Sequence, residues 1–94
     1  MIDKVFSKSV FELINGDEIV FVMKQLEPTK EIVNGYTFLI YKYRYYKVDS
    51  RYRDGSKYFY EYSNRKHFED AIYRAGKKYG KPTKQTKDIY ALGL

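Results

Sequence analysis

"YKYRYYKVDSRYRDGSKYFYEY", residues 41–62, is the stretch that decides the fold. It holds eight tyrosines, one phenylalanine and six lysines or arginines, and Asp54-Gly55 interrupts it. An Asp-Gly pair between two aromatic runs favours the two-residue type I′ turn of a β-hairpin. We therefore expect two antiparallel strands here, with Arg53 opposite Ser56.

The predicted hairpin has two chemically different faces, because side chains alternate along a strand. One face gathers six tyrosines: Tyr41, Tyr43, Tyr45, Tyr58, Tyr60 and Tyr62. We expect this face to serve mainly as core, since a buried tyrosine hides a large ring and keeps its hydroxyl at the edge. The opposite face carries cations around aromatic rings: Lys42, Arg44, Tyr46, Tyr52, Lys57 and Phe59.

Two more Asn-Gly pairs predict further turns, at Asn15-Gly16 and Asn34-Gly35. They separate predicted strands at residues 17–26 and 36–48, and a last strand follows at 56–63. Residues 2–15 fit either a strand or a short helix, because Ser9 and Glu12 also match a capping box. The β-branched and aromatic residues around the first turn favour the strand.

The hydrophobic period changes after residue 63. An apolar stripe at helical spacing predicts a helix over residues 65–79 that packs on the sheet: Phe68, Ala71, Ile72, Ala75 and Tyr79. Asn64 is the expected N-cap, and Gly80 followed by Pro82 ends the helix. The sequence thus predicts an α+β domain over residues 1–80, an antiparallel meander of four to five strands with one C-terminal helix. Residues 81–94 are expected to form a basic tail, with 81–88 a mobile linker and Ile89, Tyr90 and Leu92 docking at its end.

The charge is positive and unevenly distributed. The whole chain carries +6, whereas residues 1–35 hold four lysines and six acids. Excess positive charge clustered in one region is typical of nucleic-acid binding. Lysines and arginines neutralise phosphates, and aromatic rings stack on unpaired bases. The predicted contact residues are the cationic face and the protruding turn: Lys42, Arg44, Tyr46, Arg51, Tyr52, Arg53, Lys57 and Phe59. The alternatives are an ordinary solvated face and turn.

The segment "RDGSKYFYEY" followed by "SNRKHFEDAIYRAGKKYG" resembles the arm-type DNA-binding domains of phage and transposon integrases, and also the plant AP2/ERF-like fold. The resemblance covers residues 36–80. It implies a sheet set into the DNA major groove, with Lys42, Arg44, Tyr46 and Lys57 at the groove-facing positions. The chain departs from that pattern by having extra strands before residue 36 and no clear turn within 36–48.

The residue inventory argues against several chemistries. With no cysteine and one histidine, His67, the chain has no Cys/His zinc site and no catalytic triad. We expect His67 to be a surface or capping residue, and we expect no cofactor and no enzymatic activity. No run approaches the ~20 apolar residues of a membrane span, and no signal peptide is recognisable, so we expect a cytoplasmic protein without a membrane partner.

The expected function is therefore non-enzymatic binding of DNA or RNA. Many Phe, Tyr, Met, Ile, Asn and Lys residues and few Gly, Ala, Arg and Pro are typical of an AT-rich genome, and we therefore expect a phage or mobile-element origin. The first alternative is a phage-type inhibitor that binds a host or defence protein, for example an anti-CRISPR protein, through the same aromatic and arginine patch. The second is a small metal-free RelE-like ribonuclease. The sequence leaves the oligomeric state open.

Overall fold

The computed structural model describes residues 4–53 and 55–87. The strands are β1 (Lys4–Glu12), β2 (Glu18–Gln25), β3 (Thr29–Val33), β4 (Tyr36–Ile40), β5 (Tyr43–Asp49), β6 (Phe59–Tyr62) and β7 (Lys84–Lys87), with the helix α1 (Arg65–Tyr79) between β6 and β7. Five strands form the main sheet in the order β6-β5-β2-β1-β7, and every neighbouring pair is antiparallel. The predicted α+β fold is confirmed.

The first hairpin joins β1 to β2, so residues 4–12 are a strand and the helical alternative is wrong. Its turn differs from the predicted type I′. The Gly16 N–H donates to the Leu13 carbonyl at 3.0 Å, and Gly16 has φ 91°. The Leu13 N–H in turn donates to the Asp17 carbonyl at 2.8 Å. This is the three-residue loop in which a type I turn ends in a left-handed glycine.

The second predicted turn is confirmed, but the strand that follows it is shorter than expected. Asn34 and Gly35 have φ of 51° and 80°, as a type I′ turn requires. The expected single strand over 36–48 breaks at Tyr41-Lys42. Its first part, β4, pairs only with β3 in a separate two-stranded sheet, whereas β5 pairs with β2. The β3–β4 hairpin therefore projects from the main sheet, and the molecule measures 56 × 29 × 24 Å.

The predicted register between β5 and β6 is wrong by two residues. The two strands end at Asp49 and begin at Phe59, so a longer connection that includes a 3₁₀ turn at Ser50–Tyr52 replaces the expected two-residue turn. Tyr45 lies opposite Tyr62, where a turn at Asp54-Gly55 would place residue 64. A shift of one residue exchanges the faces of a strand, but a shift of two preserves them. The predicted separation into two faces therefore survives the error.

The helix covers the tyrosine-bearing face, as predicted. The Asn64 side chain accepts a hydrogen bond from the His67 N–H at 2.9 Å, and Gly80 ends the helix with φ 86°. Phe68 is buried at the centre of a ring cluster, with centroids 5.4 Å from Tyr45 and 5.8 Å from Tyr62. The buried residues of the core cluster are Phe11, Ile19, Phe21, Met23, Phe68 and Ala75, and Val10 and Val22 are buried outside it.

Only part of the tyrosine face is core. Tyr43, Tyr45 and Tyr62 pack against the core cluster, but Tyr41, Tyr58 and Tyr60 are exposed. Tyr41 lies in the break between β4 and β5, and Tyr58 precedes β6. Tyr60 lies on the edge strand of the sheet. Their expected burial is wrong, because Tyr41 and Tyr58 lie outside the strands and Tyr60 lies at the edge of the sheet.

The first and last described strands, β1 and β7, lie side by side in the sheet. A β-bulge between Val5 and Ser7 shifts the β1 register, and Phe6 packs edge-on against Tyr43 at 5.3 Å. Residues 84–87, expected in a mobile linker, instead pair with Ser7–Val10 as the fifth strand. The Thr83 N–H also donates to the Val10 carbonyl at 2.8 Å. The predicted docking of Ile89, Tyr90 and Leu92 lies outside the described residues.

Candidate nucleic-acid interface

The predicted cationic face exists, but its main arginine is paired. Arg44 Nε and Nη2 donate to the two carboxylate oxygens of Glu61, both at 2.8 Å. This bidentate hydrogen bond, together with the arginine charge, holds the pKa of Glu61 below its ordinary value. The pair largely neutralises this part of the face. Arg44 is therefore less suited to bind phosphate than its position in the sequence suggested.

An aromatic pair remains on the same face. The rings of Tyr46 and Phe59 lie 5.2 Å apart, and Phe59 is exposed. Lys24, from the neighbouring β2, places its Nζ 5.6 Å from the Tyr46 ring. The sequence reasoning missed Lys24 because it considered only β5 and β6. Lys42 is exposed in the segment between β4 and β5.

The predicted turn residues lie in the loop between β5 and β6. Tyr52 is flanked by two cations, with its ring 5.3 Å from the Arg51 guanidinium carbon and 5.5 Å from Lys57 Nζ. Arg53 is exposed in the same loop. Lys57 therefore belongs to this loop rather than to the strand face on which the predicted register placed it.

Arg51 is held by a buried carboxylate. Its Nε and Nη2 donate to Asp49 at 3.0 and 2.7 Å, and its backbone N–H donates to the same side chain at 3.1 Å. The Asp49 side chain is 3 % exposed and that of Arg51 32 %. Burial acts to raise the pKa of Asp49, but the hydrogen bonds and charge of Arg51, with Lys47 nearby, outweigh burial and lower that pKa below its ordinary value. The same pair raises the pKa of Arg51.

A groove of about 400 Å³ lies between α1 and the β5–β6 side of the sheet. Small residues make room for it, because Ala71 and Ala75 are the helix residues that face the sheet there. Its charged lining consists of four cations and one acid: Lys47, Asp49, Arg51, Arg74 and Lys78. Arg74 and Lys78 are four residues apart on α1 and so project from the same side of the helix.

Tyrosines line the same groove. Tyr60 is 54 % exposed, and its ring lies 4.7 Å from that of Tyr62 and 6.0 Å from Lys47 Nζ. Burial and the neighbouring Tyr60 raise the pKa of Tyr62, whereas the charge of Arg74 opposes that rise. Lys78 Nζ lies 5.4 Å from the ring centroid of Tyr79. The groove thus combines positive charge with one exposed tyrosine ring and two half-buried ones.

The remaining ionisable residues of the helix lie outside this groove. His67 is exposed in the first turn, and Arg65 pairs with Glu69 at 3.3 Å. Within residues 4–53 and 55–87, no three His, Cys, Asp or Glu side chains are grouped so as to hold a metal ion. In the same residues, no helix is both long and apolar enough to span a membrane.

Comparisons with protein-family models, with curated proteins and with solved structures gave no match for this chain. The functional argument therefore rests on the geometry of the groove and of the surfaces around it.

Proposed function

We propose that this protein binds DNA or RNA without cleaving it, and that a stretch of unpaired strand lies in the groove between α1 and β5–β6. The observation that carries the proposal is the lining of that groove. Lys47 lines it from a strand and Arg74 and Lys78 line it from the helix, and the exposed Tyr60 lines the same groove.

The three lysine and arginine side chains are the phosphate-binding groups in this proposal. Arg51 is excluded from that role because Asp49 already takes two of its guanidinium N–H groups. The exposed ring of Tyr60 provides a surface for base stacking, which contributes about 1–3 kcal/mol per base in single-strand binders. Such stacking tolerates any base, so we expect little sequence preference from this groove.

The salt dependence of binding follows from the number of phosphates neutralised. For single strands, log K falls with log salt concentration with a slope of about −0.7 per phosphate contact. Three contacts give a slope of about −2, so affinity should fall roughly 15-fold between 50 and 200 mM salt. Removing the three cations should weaken binding at low salt and flatten this dependence.

The test is a fluorescence-anisotropy titration with single-stranded DNA, single-stranded RNA and duplex DNA over a salt series. The groove variant is Lys47→Gln/Arg74→Gln/Lys78→Gln. A matched control, Lys66→Gln/Lys77→Gln/Lys81→Gln, removes the same charge from exposed lysines outside the groove lining. We expect the groove variant alone to lose at least tenfold in affinity at low salt. Equal losses in both variants would show attraction to net charge and contradict the groove.

A third variant tests the interface predicted from the sequence. Lys42→Ala/Arg44→Ala/Lys57→Ala removes cations of the opposite face and the loop. A large loss of affinity in this variant, with the groove variant unaffected, would place the nucleic acid on the face of the sheet opposite α1, as the integrase resemblance implies. Preferential binding to duplex DNA would support the same conclusion.

The two alternative functions remain predictions with distinct outcomes. A protein-binding inhibitor would bind no nucleic acid and would form a complex whose stability changes little with salt. A metal-free ribonuclease would shorten labelled RNA in the presence of a chelator. Gel analysis of the RNA recovered after each titration checks the second alternative directly.

A further inference from the structure

The β3–β4 hairpin, residues 27–41 and here called the arm, exposes an unusual amount of apolar surface. Ile32 is 75 % and Tyr36 70 % exposed, and other large apolar residues along the arm are also exposed: Val33, Phe38, Leu39 and Tyr41. These side chains are divided between the two faces of the hairpin, with Ile32 and Leu39 on one face and Val33, Tyr36 and Phe38 on the other. An isolated two-stranded hairpin is at best marginally stable in water, so a partner is expected.

The type I′ turn determines which backbone groups of the arm are free. Val33 and Tyr36 flank the turn and therefore exchange hydrogen bonds with each other. Hydrogen-bonded and non-bonded pairs alternate along an antiparallel ladder. Phe38 accordingly directs its N–H and C=O towards Glu31. Thr37 and Leu39 direct theirs outwards, along the edge of β4 that pairs with no other strand of residues 4–53 and 55–87.

The two edges of the arm differ in their protection. Edge strands usually carry charges or proline that prevent pairing with another chain. β3 contains Lys30 and Glu31, whereas β4, "YTFLI", has no charge and no proline. Its apolar and β-branched or aromatic residues suit a paired strand. The unprotected edge is therefore that of β4.

We propose that β4 pairs antiparallel with β4 of a second copy of this chain, about a two-fold axis at Phe38. In this register Thr37 of each copy exchanges hydrogen bonds with Leu39 of the other copy. Phe38 lies opposite Phe38 as a non-hydrogen-bonded pair, and Tyr36 lies opposite Ile40. The free backbone groups thus match in both copies, as an isologous interface requires, and apolar side chains face each other across the new ladder.

The charge distribution favours a second copy as the occupant. Residues 27–41 hold one lysine and two glutamates, whereas the whole chain carries +6. The cations that line the groove lie on β5, in the loop after it and on α1, all outside the arm. Two copies can therefore join through nearly neutral arms while their basic bodies remain apart, where salt screens their repulsion over a Debye length of about 8 Å.

Disulfide trapping tests the register, since the natural chain contains no cysteine. Opposite residues in a non-hydrogen-bonded pair have Cα atoms about 4.5 Å apart, within the range of a disulfide. Phe38→Cys should therefore form a covalent dimer under mild oxidation. Leu39→Cys is the matched control, because Phe38 and Leu39 are 49 % and 50 % exposed, but in this register Leu39 lies opposite Thr37. Equal trapping of both variants would indicate random collision and overturn the register.

Sedimentation velocity over a wide range of concentrations tests the association itself. We expect the natural chain to shift from 11.3 kDa towards twice that mass as concentration rises. Thr37→Pro removes an outward N–H of β4 and should abolish the shift, whereas Ile32→Pro, directly opposite on β3, should leave it. A natural chain that stays monomeric, or equal loss in both proline variants, would overturn the proposal. Circular dichroism of α1 verifies that each variant keeps its folded body.

Discussion

The pairing of Asp49 with Arg51 leads to a prediction about what happens when only one partner is removed. Arg51→Met eliminates two charge-assisted hydrogen bonds, of 3.0 and 2.7 Å, and leaves a carboxylate that is 3 % exposed. Removing one member of a fully buried ion pair costs about 3–5 kcal/mol. Arg51 is one-third exposed, so water compensates in part and we expect about 2–3 kcal/mol.

The double variant Asp49→Asn/Arg51→Met should be more stable than Arg51→Met. The amide oxygen that Asp49→Asn introduces can still accept the backbone N–H of residue 51, a hydrogen bond of 3.1 Å in the natural protein. No buried charge then remains, so we expect a total loss of only about 1 kcal/mol. The decisive result is which of the two variants is more stable. If lost contacts alone set the stability, the double variant would be the less stable one.

Equilibrium urea unfolding followed by circular dichroism measures both losses. With a slope of about 1 kcal/mol per molar urea, the midpoint should fall by roughly 2–3 M in the single variant and 1 M in the double. Asp49→Asn alone completes the cycle and gives the coupling energy. If the double variant unfolds at or below the midpoint of Arg51→Met, the argument that an unpaired buried charge dominates is refuted.

Three further predictions concern acid stability, the helix cap and the core. Because the pKa of Asp49 is lowered in the folded protein, its ionised form contributes fully to the unfolding free energy above the ordinary pKa of 3.8. This contribution is lost as pH falls through the lower folded-state pKa. Asp49→Asn should therefore reduce the fall in unfolding free energy below pH 4, measured in an acid titration. Asn64→Ala removes the cap on the His67 N–H and should cost about 1 kcal/mol, measured as a fall in Tm of about 4–8 °C, whereas a Tm within 1 °C of the natural protein would contradict the capping role. Phe68→Ala should cost about 3–5 kcal/mol in urea unfolding, whereas the exposed Phe59→Ala should cost under about 1 kcal/mol, and similar losses would contradict the assigned core.

The helix was predictable because its determinants are local. Asn64, Gly80 and the apolar stripe between them all lie within or beside one 15-residue element. The two faces of the hairpin were also predictable, because the register error was even and the alternation of side chains was retained. Functional consequences still depended on the register. With a turn at Asp54-Gly55, Glu61 would lie opposite Val48, far along the strand from Arg44, and their ion pair would not form.

The groove could not be predicted, because it depends on how distant elements pack. Lys47 is on β5 and Arg74 on α1, and no spacing in the sequence brings them together. Their proximity requires that the helix dock with Ala71 and Ala75 against the sheet. The break at Tyr41-Lys42 has a similar cause. No glycine or proline marks it, and the change of partner from β3 to β2 determines where β4 ends and β5 begins.

Deleting the arm should abolish the proposed self-association and leave the proposed nucleic-acid binding intact. The arm strands contact each other extensively and the rest of the molecule at most marginally. At the base of the arm, the Leu26 N–H donates to the Lys42 carbonyl at 2.9 Å, so β2 and β5 are already in register for a tight turn.

Replacing residues 27–41 with Asn-Gly supplies the two-residue type I′ turn that such a hydrogen-bonded pair accepts. A shorter connection also lowers the entropy cost of closing the loop, by about 2 kcal/mol. We therefore expect a monomer with unchanged α1 circular dichroism, a stability equal to or slightly above that of the natural chain, and full affinity for single strands at each salt concentration. Loss of nucleic-acid binding in this folded variant would show that the arm, and not the groove, contacts the strand. Retained self-association would show that the body contains the dimer interface.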